Sequence, residues 1–232
     1  AVIVTMLPNA DFVRKVWADL LSAARPGAVI ADCSTIDVAT ARTLHADAAA
    51  AGLLPIDAPV SGGVAGAQGA RLTFMVGGEA PAYDAIVPVL AKMGQKSVHC
   101  GGAGAGQAAK VCNNMILGAN IVAVSEAFAL AEKLGLAPEA MFDVASTSTG
   151  QCWALTSYCP VPGIVPTAPS SNGYKPGAAA TMLLKDLRLA QAAAASVRAQ
   201  TPIGTHVTEI FETFVAEGHG DLDFSAIITA FR

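Results

Sequence analysis

The 232 residues, 53% of them hydrophobic, suffice for one large domain or two modest ones around a continuous core. With 14% charged residues and a formal net charge of −4, the chain offers no basic surface, so neither nucleic acid nor an anionic membrane is an expected partner. Its five cysteines, Cys33, Cys100, Cys112, Cys152 and Cys159, are odd in number, widely spaced and without a CxxC pair, which argues against a disulfide framework and against any metal site.

Val2–Thr5 reads as a strand already under way with no initiating Met, so the sequence is expected to begin inside a domain. Asn9 is a candidate N-cap for a helix in which Phe12, Val13, Val16, Trp17, Leu20 and Leu21 recur at helical spacing, and Arg25-Pro26-Gly27 stops it. A short strand at Ala28–Ala31, a helix over Asp37–Ala51 and a strand at Leu53–Ile56 follow. Further on come a strand at Leu72–Val76, a helix from about Pro81 to Lys92 and a strand around Ser97–His99. Alternation of this kind favours a sheet covered by helices, doubly wound.

Beyond Gly106 no strand pattern remains. Ala108–Leu134 reads as one helix, apolar on nearly every face and therefore buried, that links two domains. Helices are expected at about Pro138–Ser146, Ala178–Ala199, Pro202–Glu217 and Ser225–Phe231, while Trp153 and Tyr158 are expected to pack at the domain junction. The Pro-, Ser-, Asn- and Gly-rich stretch Cys159–Pro176 is long enough to be functional or mobile. There is no run of about 18 purely apolar residues to span a bilayer and no visible secretory leader. The expected location is the cytoplasm, or the mitochondrial matrix if the chain is eukaryotic.

Three polar or Gly-rich clusters fall where strands should end, which is where open α/β sheets bind ligands. In Asp32-Cys-Ser-Thr35 the hydroxyls either meet a nucleotide or cap the following helix, and position alone favours the cap. Ser61, Gly62 and Gly63 form either an ordinary turn or a nest of amides suited to a carboxylate. The third cluster is Gly101-Gly-Ala-Gly-Ala-Gly106 followed by Gln107, Lys110, Asn113 and Asn114, in which Lys110 and Asn114 share one helical face.

A lysine in the first turns of an apolar helix either snorkels to solvent or is retained because a partner or a reaction uses it. Oxidising an alcohol by hydride transfer releases the hydroxyl proton, and an amine brought from ~10.4 toward neutrality by desolvation accepts it. Asn114 is suited to hold the alcohol or carbonyl oxygen, or is simply a helix amide bonded to a neighbouring segment. Lys185-Asp186 reads most plainly as a surface pair, and His45, His99, His206 and His219 share no ligand spacing.

Taken together, six ordered motifs resemble the β-hydroxyacid dehydrogenase family: Thr5-Met-Leu-Pro8, Asp32-Cys-Ser-Thr-Ile36, Asp57-Ala-Pro-Val-Ser-Gly-Gly-Val64, Leu72-Thr-Phe-Met-Val-Gly-Gly78, the lysine run ending Asn113-Asn114, and Lys185-Asp-Leu187. Cys152-Trp153 with Tyr158-Cys-Pro-Val-Pro-Gly163, Asn172 and Tyr174 resembles the branch acting on 3-hydroxyisobutyrate. The resemblance implies an α/β Rossmann-type domain, here over 1–103, then an interdomain helix and an all-helical C-terminal domain over 104–232, with the active site in the cleft between domains and a homodimer or homotetramer as the assembly. It implies Lys110 and Asn114 as catalytic residues, Ser61, Gly62 and Gly63 as the substrate-carboxylate loop, and Leu7, Pro8, Thr35 and Lys185 as cofactor contacts. The implied reaction is NAD-dependent oxidation of the small hydroxy acid 3-hydroxyisobutyrate to methylmalonate semialdehyde, in valine breakdown.

Ala70-Arg71 departs from the Gly-Thr usual before the Leu72 strand, and the family's opening strand with its G-x-G-x-x-G turn is not among these residues. The expectation is therefore part of a longer chain, with an incomplete first unit and an NAD preference inherited from the family. The alternatives are a sibling reductase of tartronate or succinic semialdehyde and a non-catalytic scaffold of the same fold. The pairing of Lys110 with Asn114 argues against the scaffold.

Overall fold

The computed structural model describes residues 1–232, which form two compact units, Ala1–Cys112 and Asn113–Arg232. The first contains β1 (Val2–Thr5), α1 (Ala10–Ala23), β2 (Val29–Asp32), α2 (Val38–Ala50), β3 (Leu54–Asp57), β4 (Val60–Ser61), α3 (Gly63–Gln68), β5 (Leu72–Gly77), α4 (Ala80–Leu90) and β6 (Gly94–Gly101). Helix α5 (Ala105–Lys133) begins in this unit, and the boundary falls within it.

β1, β2 and β3 are parallel neighbours, with Val2 opposite Val29 and Val29 opposite Leu54. Alternate residues of β2 feed opposite faces of the sheet. Val29 and Ala31 pack with Phe74, Ala82, Ile86 and Leu90 from the α4 side, whereas Ala28 and Ile30 pack with Val13, Trp17 and Leu44 from α1 and α2. A strand covered on both faces needs an unbroken apolar run, which Val29-Ile-Ala31 supplies. This is the Rossmann-type layering expected from the alternation.

The strand directions, on which the alternation is silent, are mixed. β5 runs antiparallel to β3, meeting it only at Asp57 and Gly77, and antiparallel to β4, while β6 is parallel to β5. Only fourteen residues separate Asp57 from Leu72, and they are spent on β4 and the short α3, so the chain turns back as a hairpin instead of crossing over beneath a long helix.

The second unit holds the rest of α5, α6 (Pro138–Thr147), α7 (Trp153–Thr156), α8 (Ala180–Ser196) and α9 (Pro202–Phe214), with short 3-10 turns at Pro169–Asn172 and Phe224–Ala230. Its core joins Ile121 and Val122 of α5 to Leu183, Leu184 and Leu187 of α8, and to Val207, Phe211 and Phe214 of α9. α9 stops three residues before the expected Glu217. The chain widens into a π-turn over Val215–His219, and Gly218 at φ +94° ends the helix. Trp153 stays half exposed and stacks on Tyr158, whose ring stacks in turn on Phe224. The Cys159–Pro176 segment is bound to itself, with Ser170 Oγ donating to Cys159 O at 2.6 Å and Tyr174 OH to Pro160 O at 2.9 Å.

α5 is not buried all round. Gln107, Val111, Asn114, Gly118, Ile121, Ser125 and Phe128 make a buried stripe at helical spacing, while Ile116, Leu130 and neighbouring Leu134 are exposed. By length and composition α5 is the one helix apolar enough to cross a bilayer, yet half of its most apolar window is packed inside the protein. Ala content lifts its hydropathy without supplying large side chains on every face.

The start of α5 lies directly on sheet backbone. A Cβ at Gly106 would run into Met75 O and stand 2.6 Å from Asp57 O, and one at Gly77 would stand 2.7 Å from Gly106 N. Gly106→Ala is therefore expected to destabilise the protein by about 2 kcal/mol or more, as overpacking against unyielding backbone does. Urea unfolding of the purified variant reads this, and a change within about 0.5 kcal/mol would show that the helix start has room to shift.

Candidate functional site

The carboxyl ends of the parallel strands carry the polar clusters, and a linked set of hydrogen bonds orders them. Thr5, last residue of β1, donates through Oγ1 to Asp32 Oδ1 at 2.8 Å, and Trp17 Nε1 donates to the same Thr5 oxygen at 3.2 Å. Ser34 Oγ donates to Asp32 Oδ1 at 2.7 Å and accepts from Leu7 N–H at 2.7 Å, so the loops after β1 and β2 are tied together. Leu7 and Thr35 are half-buried in this shelf, and Pro8 is exposed beside Met6.

This overturns the capping role considered for Asp32–Thr35. α2 is capped by Asp37, whose Oδ1 accepts from Thr40 N–H at 2.7 Å. Ser34 lies too early in the chain to reach the helix amides and serves the strand-end network instead. Asp32 is buried, its Oδ2 has no hydrogen-bond partner, and burial raises its pKa above the ordinary carboxylate value despite the bonds from Ser34 and Thr5.

Asp57, last residue of β3, caps α5. Its Oδ1 accepts from Gly104 N–H at 2.9 Å and its Oδ2 from Gln107 N–H at 2.8 Å. His45 Nε2 of α2 stands 2.9 Å from Asp57 Oδ1, at an angle that is not that of a hydrogen bond. The Gln107 side chain turns back onto the β2 loop, with Oε1 accepting from Ile36 N–H at 3.1 Å and Nε2 donating to Ser34 O at 2.7 Å.

Lys110 follows one turn later. It is only 8% exposed, and its Nζ donates to Val60 O at 2.8 Å, immediately before Ser61. The snorkelling alternative is thereby set aside: the ammonium is turned inward. Ser61 is half-buried, and Gly62 and Gly63 are exposed at the start of α3 with φ of +135° and +62°, conformations that a side chain would strain. The structure thus brings Lys110 to the Ser61–Gly63 loop and Leu7 to the loop that holds Thr35.

In the second unit, Asn114 is buried and its Nδ2 donates to Asp186 Oδ2 at 2.6 Å, while its Oδ1 accepts from Asn113. Lys185 Nζ lies 3.4 Å from Asp186 Oδ1. Lys185-Asp186 is therefore no simple surface pair: Lys185 reaches solvent, and Asp186 is buried because it receives the Asn114 amide. Asp57, Gln107 and Asp186 build the site through bonds that spacing alone does not show. Their partners lie 47 to 73 positions away in the chain.

A dinucleotide fits what the first unit offers. Two parallel strands end side by side, Thr5 opposite Asp32, in a rim of exposed Met6 and Pro8 with half-buried Leu7 between them, backed by the Ser34–Thr35 loop, the place where open α/β sheets take such ligands.

Comparison with known proteins bears on the same residues. The family profile described as the NAD binding domain of 6-phosphogluconate dehydrogenase matches residues 1–102, and that described as NAD-binding of NADP-dependent 3-hydroxyisobutyrate dehydrogenase matches residues 104–231. A probable 3-hydroxyisobutyrate dehydrogenase of Mycobacterium tuberculosis is 52% identical over 231 residues, covering 100% of this chain and 78% of that protein. The NAD-dependent L-serine dehydrogenase of Pseudomonas aeruginosa is 40% identical, covering 97% of this chain and 77% of that protein. The solved structure of Mycobacterium tuberculosis 3-hydroxyisobutyrate dehydrogenase with L-serine matches with a TM-score of 0.96 at 52% identity, covering 100% of this chain and 79% of that one.

The raised pKa of Asp32 has a defined consequence for stability. Because the folded protein holds this proton more tightly than the unfolded chain, the folded state loses stability as pH rises from the unfolded value of 3.8 through the raised folded value. Asp32→Asn should remove that component, so the stability difference between variant and parent shifts in the variant's favour as pH rises from 3.8 through the raised folded value. Denaturant unfolding across that range tests it, and a difference independent of pH would mean that Asp32 is not protonated preferentially in the fold.

Proposed function

Because the chain belongs to the 3-hydroxyisobutyrate dehydrogenase family of NAD-dependent oxidoreductases, we propose that it oxidises 3-hydroxyisobutyrate to methylmalonate semialdehyde in valine breakdown, with Lys110 as general acid/base. The observation that carries this reading is the inward-turned Lys110 ammonium, held by the Val60 carbonyl next to Ser61.

NAD, when bound, supplies the hydride acceptor. The chain's own residues do the rest. Ser61 Oγ and the amides of Gly62 and Gly63 hold the substrate carboxylate, where glycine leaves the backbone open to close approach. Lys110 Nζ takes the hydroxyl proton during oxidation and returns it during reduction. Asn114, one helical turn on, keeps one amide hydrogen on Asp186, which orients the group, and offers the other to the reacting oxygen. Leu7, Pro8, Thr35 and Lys185 hold the cofactor.

A second reading of the substrate rests on the relatives: one is an L-serine dehydrogenase, and the solved structure of another contains L-serine. L-serine and 3-hydroxyisobutyrate are both 3-hydroxy acids that differ by an ammonium in place of a methyl group. Tartronate and succinic semialdehyde belong in the same comparison. Exposed Leu134, Leu136 and Val144 in the second unit support the homodimer or homotetramer that the family resemblance implies.

The full-length protein should form NADH with 3-hydroxyisobutyrate at a higher kcat/KM than with L-serine, and a reversed ratio would make L-serine the substrate. Lys110→Ala should lower kcat by about 10²-fold or more, as loss of a general acid/base does. Near-normal turnover in that variant would sink the mechanism. Ser61→Ala should act chiefly on KM for the hydroxy acid. A collapse in kcat at unchanged KM would take the serine out of the carboxylate loop.

A further inference from the structure

We infer that Gln107 is a positioning residue, a clamp that sets the loop bearing Thr35 and the helix bearing Lys110 in register. The inference rests on the reading above, in which Thr35 contacts cofactor and Lys110 moves the proton.

Gln107 is fully buried and held at both ends. Its backbone N–H is bound by Asp57 Oδ2 at 2.8 Å, and its side chain makes two bonds to main-chain groups that flank Thr35: Ile36 N–H at 3.1 Å and Ser34 O at 2.7 Å. A primary amide presents a donor and an acceptor side by side, which is what a main-chain carbonyl and N–H two residues apart require. Asparagine would fall a methylene short, a carboxylate would set an acceptor against Ser34 O, and an apolar side chain would leave both loop groups buried and unbonded.

The position along α5 gives the clamp its consequence. Lys110 lies three residues beyond Gln107, on the adjoining turn, and is itself bonded to Val60 O. The loop carrying the proposed cofactor contact and the helix carrying the proposed proton acceptor therefore meet at one amide group. Hydride transfer depends on cofactor and acid/base keeping their spacing to a fraction of an ångström, and a misplacement of about 1 Å costs on the order of 10²-fold in rate. A residue that merely filled space at 107 would affect melting and leave cofactor affinity and turnover alone.

Gln107→Met keeps the volume and removes both side-chain bonds. In the full-length protein it should weaken NADH binding, measured by nucleotide fluorescence without turnover, by about tenfold, a size expected for one to two lost hydrogen bonds. kcat should fall by at least about tenfold, and KM for the hydroxy acid should change by less than about twofold. Gln107→Glu adds a readout that packing does not supply. Its carboxylic acid, when protonated, again offers one donor and one acceptor, so NADH affinity relative to wild type should recover as pH falls, and the Met variant should show no such recovery.

NADH affinity and kcat equal to wild type in Gln107→Met, with only a lower melting temperature, would overturn the inference. If that variant does not fold, the Glu variant decides: recovery of relative affinity at low pH supports the clamp, and a flat ratio overturns it. A wild-type protein inactive on hydroxy acids would sink the proposed reaction, yet the NADH titrations would still show whether Gln107 orders the nucleotide loop.

Discussion

The start of α5 presents backbone N–H groups that no helical carbonyl satisfies, and Asp57 takes that of Gln107 in the first turn together with that of Gly104 just before it. A carboxylate in this position completes hydrogen bonds and faces the positive end of the helix dipole, which together are worth on the order of 1–3 kcal/mol. The bond to Gly104 and the bond to Gln107 leave from different oxygens, so the helix is fixed in direction as well as in place. Gly77 and Gly106 let it sit directly against β3 and β5, with no side chain between to yield. A lysine on the second turn of such a helix inherits its position from main-chain contacts. Lys110 can then be inward-facing without depending on the packing of flexible neighbours.

That arrangement has a cost. Asp32 and Asp57 stand next to each other at the ends of β2 and β3, both buried, and like charges in one buried neighbourhood repel. Asp57 is supported by two backbone amides and by the nearby ring of His45. Asp32 gathers its hydrogen bonds on Oδ1 and leaves Oδ2 without one, and burial, joined by a smaller push from the Asp57 charge, drives its carboxyl toward the protonated form. The asymmetry serves the site: the carboxylate that holds the helix has the better support, and the less supported one organises the loops after β1 and β2.

Much of this fold is legible in the sequence because its determinants are local. Val2–Thr5 is a strand and Asn9 an N-cap as the residues suggest, since an Asx side chain ahead of an apolar 3.6-residue repeat is a short-range signal. The antiparallel turn of β5 was hidden because β4 and α3 are too short to show a period, and the exposed side of α5 because alanine satisfies hydropathy without requiring burial. At the site, Lys110 and the Ser61-Gly-Gly63 loop stand out as residue types in unusual places. The roles of Asp57, Gln107 and Asp186 depend on partners far along the chain, and nothing local distinguishes an aspartate that caps a distant helix from one that ends its own strand.

The substrate question turns on one substituent. Discriminating a methyl from an ammonium differs from discriminating two alkyl groups: an apolar contact is worth about 1–3 kcal/mol, whereas a site built to bond a charged group leaves its own polar atoms unpaired when that group is missing, with penalties up to 10⁴- to 10⁵-fold. A pocket specialised for L-serine would therefore need a buried acceptor for the ammonium and would reject 3-hydroxyisobutyrate strongly. One shaped for the methyl group would reject L-serine mainly through the cost of stripping water from a cation. In the proposed mechanism the features that serve both substrates alike are the Ser61–Gly63 loop and the lysine beside it. Selectivity must come from the groups around the second carbon, while the proton chemistry proposed for Lys110 is common to either acid.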